Sequence, residues 1–373
     1  MRLAARQGDP GGAGFSLQDK TGDFMRVTMQ QIADKAGVSR GTVDRALNHR
    51  GRIDPDVEAM ILRIADELGY TPKHKKSQNT KPYACRIGIV TQLSNAPFMK
   101  RVLEGIEEAE DEYAESGVQI ILEKGVSVDE EEQLNLIDKV IHAGVDALAV
   151  MPVETPAIRS RINEIIHRLH IPVVTFNTDV VGIDRLAFVG MDNFESGRTA
   201  AGLMGMLARS SGRILIITGF FSNTANNNRV AGFTEELATS FPHMEISGVH
   251  ACFESPESVQ QCVEKALLGS PGIDGIFIVC GGQEGVYAAL HKLNLEERPY
   301  VIVYDQIPMN EKALLKGDVD FLIDQNGFLQ GYQAVKTICN MLLHHEIPPH
   351  KHYYTDITIK TRYNLYSRKQ KQE

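Results

Sequence analysis

From residue 84 onward the chain alternates. Ten short apolar runs, at 85–91, 118–123, 145–151, 171–176, 186–190, 213–219, 245–252, 273–280, 300–304 and 320–323, are mostly separated by amphipathic stretches of helical period such as 98–115, 129–143 and 193–208. Runs of Ile and Val without polar alternation belong to strands buried on both faces, and intervening helices supply the crossovers that parallel strands need. Ten strands suit two sheets better than one. The pattern therefore predicts an α/β body of two parallel sheets flanked by helices. Ligands of such folds bind beyond the carboxyl ends of the strands, so the cleft between the two halves is the expected site.

A different pattern precedes it. Thr28 and Gln31 have capping-box spacing, and Ile32, Ala33 and Ala36 form one apolar face that Gly37 terminates. Ser39 is a good N-cap for a second helix over 40–47, with Val43, Ala46 and Leu47 on one face and Arg40, Thr42 and Arg45 elsewhere on its surface. A third helix starts with Asp54 as N-cap and Pro55 at its first position. It carries Val57, Ile61, Ile64, Ala65 and Leu68 at helical spacing and ends at Gly69. Two short helices across a glycine turn, closed by a third, form either a DNA-reading helix-turn-helix or a plain three-helix packing unit, and the pattern alone favours neither.

Charge adds support. The chain carries −9 overall, yet between Arg26 and Lys76 ten basic residues face seven acidic ones. A basic segment joined to an acidic body fits a chain of which one part touches phosphates. The 373 residues allow two to three domains. No apolar run reaches the ~20 residues of a membrane span, and the polar, glycine-rich residues 1–24 contain no export signal. The five cysteines are scattered without a CxxC pair, which fits reduced thiols in a cytoplasm.

The run from Val27 to Asn48 contains the phrase I-A-x-x-A-G-V-S-x-x-T-V-x-R-x-L-N, and with Glu67-Leu68-Gly69-Tyr70-Thr71-Pro72 it resembles the DNA-binding segment of the LacI/GalR family of bacterial transcription regulators. The resemblance implies that the residues after Ser39, here Arg40 and Gly41, read bases in the major groove, with Arg45 adding base or phosphate contacts. Since Gly41 has no side chain, readout leans on the two arginines. Thr28, Ser39, Thr42, Asn48, Lys73 and Lys75 complete the expected DNA-binding set. Family members continue with a hinge helix bearing a Leu. Here Asn79 stands about where that Leu would be, and 73–83 reads as a basic linker. Met25-Arg26-Val27-Thr28 looks like a natural start, which makes 1–24 a disordered extension or an upstream start-site artefact.

Residues 84–373 resemble the type I sugar-binding periplasmic protein fold. The resemblance rests on Ile87-Gly88-Ile89-Val90, Asn95-Ala96-Pro97-Phe98, Gly105-Ile106, Val189-Gly190-Met191-Asp192-Asn193, Gly197, Val303-Tyr304-Asp305 and Asp324-Gln325. It implies that Asp305 and Gln325 bond sugar hydroxyls and that Phe98 stacks near the sugar ring. It also implies lobes of about 84–190 with 326–355 and 191–325 with 356–373, behind a head at 25–72. Three positions depart from the ribose-binding pattern. Asn177-Thr178 replaces Asp-Arg, and Gly281-Gly282 replaces Asn-Asp. Asn227 stands for a ligand-gripping Arg, with Arg229 read as a structural partner of its helix. The expected effector set is Asn95, Phe98, Asn177, Asn227, Gly281, Asp305 and Gln325, in an uncharged, Asn-lined cleft suited to a polyol. Each isolated Asn is as readily a turn or cap residue.

Other patterns carry less. The Gly281–Gly285 turn lacks the Lys-Ser/Thr of a phosphate loop. His344, His345, His350 and His352 around Pro348-Pro349 fit a solvated loop better than a metal site. No catalytic motif emerges, and no cofactor or metal is implied. The expectation is a cytoplasmic homodimeric regulator of palindromic operator DNA, governed by a sugar or sugar derivative, with no membrane partner. A periplasmic solute-binding protein and an enzyme on the same fold are the rivals.

Overall fold

The computed structural model describes residues 27–47, 53–68, 70, 84–208, 212–269 and 272–365. Residues 1–24, Asn48, the end of the third helix at Gly69, and the linker with Lys73 and Lys75 lie outside the described residues. The chain divides into two compact units, 1–75 and 76–373.

The head has three helices, α1 (Met29–Ala36), α2 (Arg40–Leu47) and α3 (Pro55–Glu67). The α1 capping box is present: Thr28 Oγ1 accepts from the Gln31 amide and the Gln31 side chain accepts from the Thr28 amide at 2.7 Å. Gly37 ends α1 in the left-handed region at φ 68°, a conformation that costs glycine nothing and turns the chain toward α2. Ser39 Oγ accepts from the Thr42 amide at 3.1 Å and thereby caps α2. Ile32, Ala33, Val43, Ala46, Ile61, Ile64 and Ala65 close a small core among the three helices.

The body's first sheet holds β1 (Cys85–Thr91), β2 (Val118–Lys124), β3 (Ala147–Val150), β4 (Val173–Phe176), β5 (Ala187–Met191) and, from near the carboxyl end, β11 (His352–Thr355). Their order is β11-β5-β4-β3-β1-β2. Every pairing in this sheet is parallel. Helices α4 (Pro97–Tyr113), α5 (Glu130–His142) and α6 (Pro156–His167) provide crossovers.

The second sheet holds β6 (Arg213–Thr218), β7 (Glu245–Ala251), β8 (Ile273–Ile278), β9 (Tyr300–Tyr304), β10 (Phe321–Asp324) and β12 (Thr358–Lys360), ordered β12-β10-β9-β8-β6-β7. Only the β10–β12 pair is antiparallel among its described pairings. Its helices are α7 (Asn193–Leu207), α8 (Thr224–Ser240), α9 (Pro256–Gly269), α10 (Glu284–Leu293) and α11 (Pro308–Lys316). The last helix, α12 (Gly327–His344), returns to the first sheet, where Ala334, Val335 and Ile338 share a core with Val102 and Ile106 of α4.

All ten apolar runs are strands, each within a few residues of its expected bounds. The two additional strands, β11 and β12, are short edge strands. The polypeptide passes between the sheets three times, after β5, after β10 and between β11 and β12.

Helices α7 and α8 touch backbone to backbone. A Cβ on Gly197 would lie 2.1 Å from the Arg229 carbonyl oxygen, and one on Gly232 would lie 2.0 Å from that of Phe194. These two glycines therefore fix the depth at which α8 sits, and with it the position of Arg229. Overpacking of this kind costs about 1–3 kcal/mol. Gly232→Ala is expected to lower the urea-unfolding midpoint by a corresponding amount. Gly202→Ala on α7, where nothing lies within 4 Å, leaves the midpoint unchanged or raises it.

Candidate functional site

In the head, the cap and core geometry decide which face of α2 is left outside. Val43 and Ala46 are buried, while Ser39, Arg40, Gly41 and Arg45 are exposed and Thr42 is half-buried. The Ser39 and Thr42 hydroxyls share a hydrogen bond of 2.9 Å at the start of the helix. A Cβ on Gly41 would meet nothing nearer than Ser39 Oγ at 3.7 Å, so the glycine leaves open space on this face. A rigid helix end with two outward arginines can place guanidinium groups against base edges and phosphates.

In the body, a cavity of about 600 Å³ lies between the two sheets. Its wall is built from loops at the carboxyl ends of strands. Gln92 and Phe98 follow β1, Asn177 follows β4, and Phe220, Asn226 and Arg229 follow β6. Phe253 and Glu254 follow β7, Gly281 and Gln283 follow β8, and Asp305 and Gln325 follow β9 and β10.

Arg229 is the centre of this wall and is only 6% exposed. Its Nε donates to Asn193 Oδ1 at 2.8 Å, Nη1 to the Val279 carbonyl at 2.8 Å and Nη2 to Gln325 Oε1 at 3.1 Å. The guanidinium also lies 3.9 Å from the centre of the Tyr304 ring, a cation–π contact that adds compensation for lost hydration. Gln325 in turn donates from Nε2 to Asp305 Oδ1 at 2.6 Å. Asp305 sits in the left-handed region at φ 75°, held by its amide on the Ile323 carbonyl and by Asn310 Nδ2 on its own carbonyl at 3.0 Å. Burial pushes the Asp305 carboxyl above the usual carboxylate range, while Arg229 and the Gln325 amide pull it down.

The same network reaches the first lobe and the crossings. Asn177 Nδ2 donates to Gln330 Oε1 at 3.0 Å, Gln330 Nε2 donates to the Gln325 carbonyl at 2.8 Å, and Thr355 Oγ1 donates to that carbonyl at 3.0 Å. On the opposite side, the Glu154 carboxylate beyond β3 accepts from the Thr224 amide at the start of α8 at 3.0 Å.

Phe98, Asn177, Gly281, Asp305 and Gln325 therefore come together in one cavity wall. Two expected effector residues do not. Asn227 is exposed, and its Nδ2 donates to the Phe221 carbonyl at 2.7 Å. On α8 the inward series runs Asn226, Arg229, Phe233, at helical spacing, so the arginine and not the asparagine faces the cleft. Asn95 is exposed at the mouth of a separate shallow depression beside Lys100 and Glu104, because the turn into α4 points Gln92 inward instead. The cleft is also not uncharged, since Arg229, Glu254, Glu284 and Asp305 line it. Glu254 carried no sequence signal: it is a loop residue outside any periodic element. Of the four histidines near Pro348-Pro349, His352 belongs to β11 and lies 3.1 Å from Arg185 Nη2. Among the described residues no helix is long and apolar enough to cross a membrane.

Comparisons with known proteins place these features. Residues 87–346 match the periplasmic binding protein domain, and residues 28–73 match the family described as bacterial regulatory proteins, lacI family. The HTH-type transcriptional regulator DegA of Bacillus subtilis is 26% identical over 214 residues, 57% of this chain and 61% of DegA, so the match spans less than two thirds of that relative. The HTH-type transcriptional regulator MalR of Streptococcus pneumoniae is 25% identical over 332 residues, covering 85% of this chain and 93% of MalR. Among solved structures, a solute-binding protein of an ABC transporter from Burkholderia graminis, in complex with D-arabinose, superposes with a TM-score of 0.70 at 23% identity. That match covers 78% of this chain and 99% of that one, and it shows the shared fold. With a helix-turn-helix head and a periplasmic-binding-protein body in a single polypeptide, the chain belongs to the lacI family of bacterial regulatory proteins.

Proposed function

We propose that this chain is a cytoplasmic homodimeric regulator whose hold on a palindromic operator is set by a small polyhydroxylated effector in the interlobe cleft. The observation that carries this reading is the pairing, in one chain, of an outward-facing α2 with a cleft whose floor is a buried arginine–glutamine–aspartate network. The lacI-family match of the head and the sugar-bound relative of the body support its two halves. DegA and MalR are regulators, and we assign no turnover to the cleft.

In this reading Arg40 and Arg45 approach base edges, while Thr28, Ser39 and Thr42 serve the sugar-phosphate backbone and Gly41 lets the helix come close. Asn48, Lys73 and Lys75 complete the set in residues outside those described. In the cleft, Phe98 packs against the apolar face of a ring, and Asn177, Arg229, Asp305 and Gln325 hold its hydroxyls. The network joins both lobes and reaches all three crossings, at Asn193, Gln325 and Thr355. An effector that binds one lobe arrangement better than the other shifts operator affinity, and by linkage operator DNA shifts effector affinity equally. We place the head at 25–72, the linker at 73–83 and the lobe boundaries in the three crossings.

Three outcomes test this. Arg40→Ala is expected to cost about 1–3 kcal/mol of operator affinity and to relax preference at one base pair; an unchanged footprint would remove Arg40 from readout. Gly41→Ala keeps the thermal midpoint of the protein, given the open space at that position, while changing operator affinity in gel shifts. Asp305→Ala abolishes the effector response and retains operator binding, whereas Asn227→Ala leaves both intact because its side chain faces solvent.

A further inference from the structure

Of the four charged groups that line the cleft, the polyol reading leaves two without work, the exposed Glu284 and the half-buried Glu254. Glu254 lies in the β7–α9 loop, where both Phe253 and Glu254 adopt left-handed backbone, at φ 54° and 58°. Two successive non-glycine residues in that region store strain, and the surroundings hold them there. The Phe253 amide donates to the Gly219 carbonyl, and the Ser255 amide donates to the Cys252 carbonyl.

The carboxylate so placed fills space that glycines leave open. A Cβ on Gly219 would lie 3.0 Å from both Cγ and Oε1 of Glu254, and one on Gly281 would lie 3.3 Å from Oε2. Gly281 is the first residue of the Gly281-Gly282 pair that stands where the ribose-binding pattern has Asn-Asp, so the Glu254 carboxylate borders the space that a side chain at Gly281 would take. Among the described residues no donor hydrogen-bonds the Glu254 carboxylate. Burial, with Asp305 nearby, raises its proton affinity, and Arg229 acts in the opposite direction. Arg229 is already committed to Asn193, Val279, Gln325 and the Tyr304 ring. Against that one cation the cavity wall sets three carboxylates, Glu254, Glu284 and Asp305, with no lysine or histidine among its lining residues. An anionic excess in a partly dehydrated cleft attracts a cation, and a carboxylate without a donor is completed by a charge-assisted N–H···O bond.

We infer that the effector is an aminated polyol, an amino sugar or amino cyclitol whose protonated amine is seated on Glu254. This rests on the reading of the cleft as a polyol site and narrows the ligand class within it. The amine supplies the donors that the carboxylate lacks, while the hydroxyls go to Asp305, Gln325 and Arg229. Glu254 is then the residue that separates aminated from neutral ligands, since a neutral parent compound leaves its carboxylate dehydrated and unpaired.

The test is isothermal titration of the full chain with matched pairs: neutral hexoses and inositols, their amino-deoxy counterparts, and the N-acetylated forms of those amines. The expected result is an amine that binds at least tenfold more tightly than both its neutral parent and its N-acetyl form. Glu254→Gln is expected to erase that difference, and Glu254→Asp to retain much of it, with circular dichroism confirming that each variant is folded. Neutral ligands that bind as tightly as their amines, or an amine preference that survives in Glu254→Gln, would overturn the inference while leaving the polyol site standing. Absence of binding by all three classes would take the polyol reading down with it.

Discussion

A guanidinium removed from water has to be surrounded, and Arg229 shows how much of a fold that requirement recruits. Leaving such a charge uncompensated would cost several kcal/mol. Its partners come from the start of α7, the end of β8, the ring of Tyr304 in β9 and the residue that follows β10. Four strand-helix units of one lobe are thus held in register by one side chain. Gln325, which that side chain orients, also fixes Asp305 and receives the contacts from Gln330 and Thr355. The floor of the cleft and the crossings between the lobes are consequently parts of one hydrogen-bonded assembly.

This continuity gives the regulatory reading a physical basis. A ligand that competes for Asp305 or Gln325 acts on groups already bonded to the segments where the chain changes lobe. Small displacements there are not absorbed locally, because the strands beneath are packed without room: Ile216, Phe277, Ile302, Val303 and Ile323 have no exposed surface. The glycine contacts between α7 and α8 serve the same end, since they remove the slack with which α8 could otherwise shift Arg229.

Much of the architecture was legible because burial on both faces leaves an unmistakable trace. The strands at 85–91, 213–218 and 300–304 are almost wholly apolar, and the chain has few other ways to hide them. Strands β11 and β12 were not legible, since edge strands of three or four residues, with exposed His352 and Tyr354 in one and half-buried residues throughout the other, carry no such trace. In the cleft, Asp305 and Gln325 were readable through the resemblance to sugar-binding proteins, at late strand ends where such folds take their ligands. Asn227 was misplaced by two positions, and the correct face lay in the spacing of Asn226, Arg229 and Phe233. Glu254 had no equivalent signal, because its placement depends on two glycines distant in sequence, Gly219 and Gly281.

By itself, the sequence determined the head's three helices and their caps, the α/β character of the body and the strand ends where a ligand can sit. Those features depend on residues close together in the chain, through periodicity, capping and turn chemistry. Only the tertiary structure decided which polar groups converge: Arg229 instead of Asn227, Gln92 instead of Asn95, and a Glu254 carboxylate filling the room left by Gly219 and Gly281. Convergence of that kind is set by packing between segments tens of residues apart, where a few ångströms separate a ligand contact from a solvated side chain.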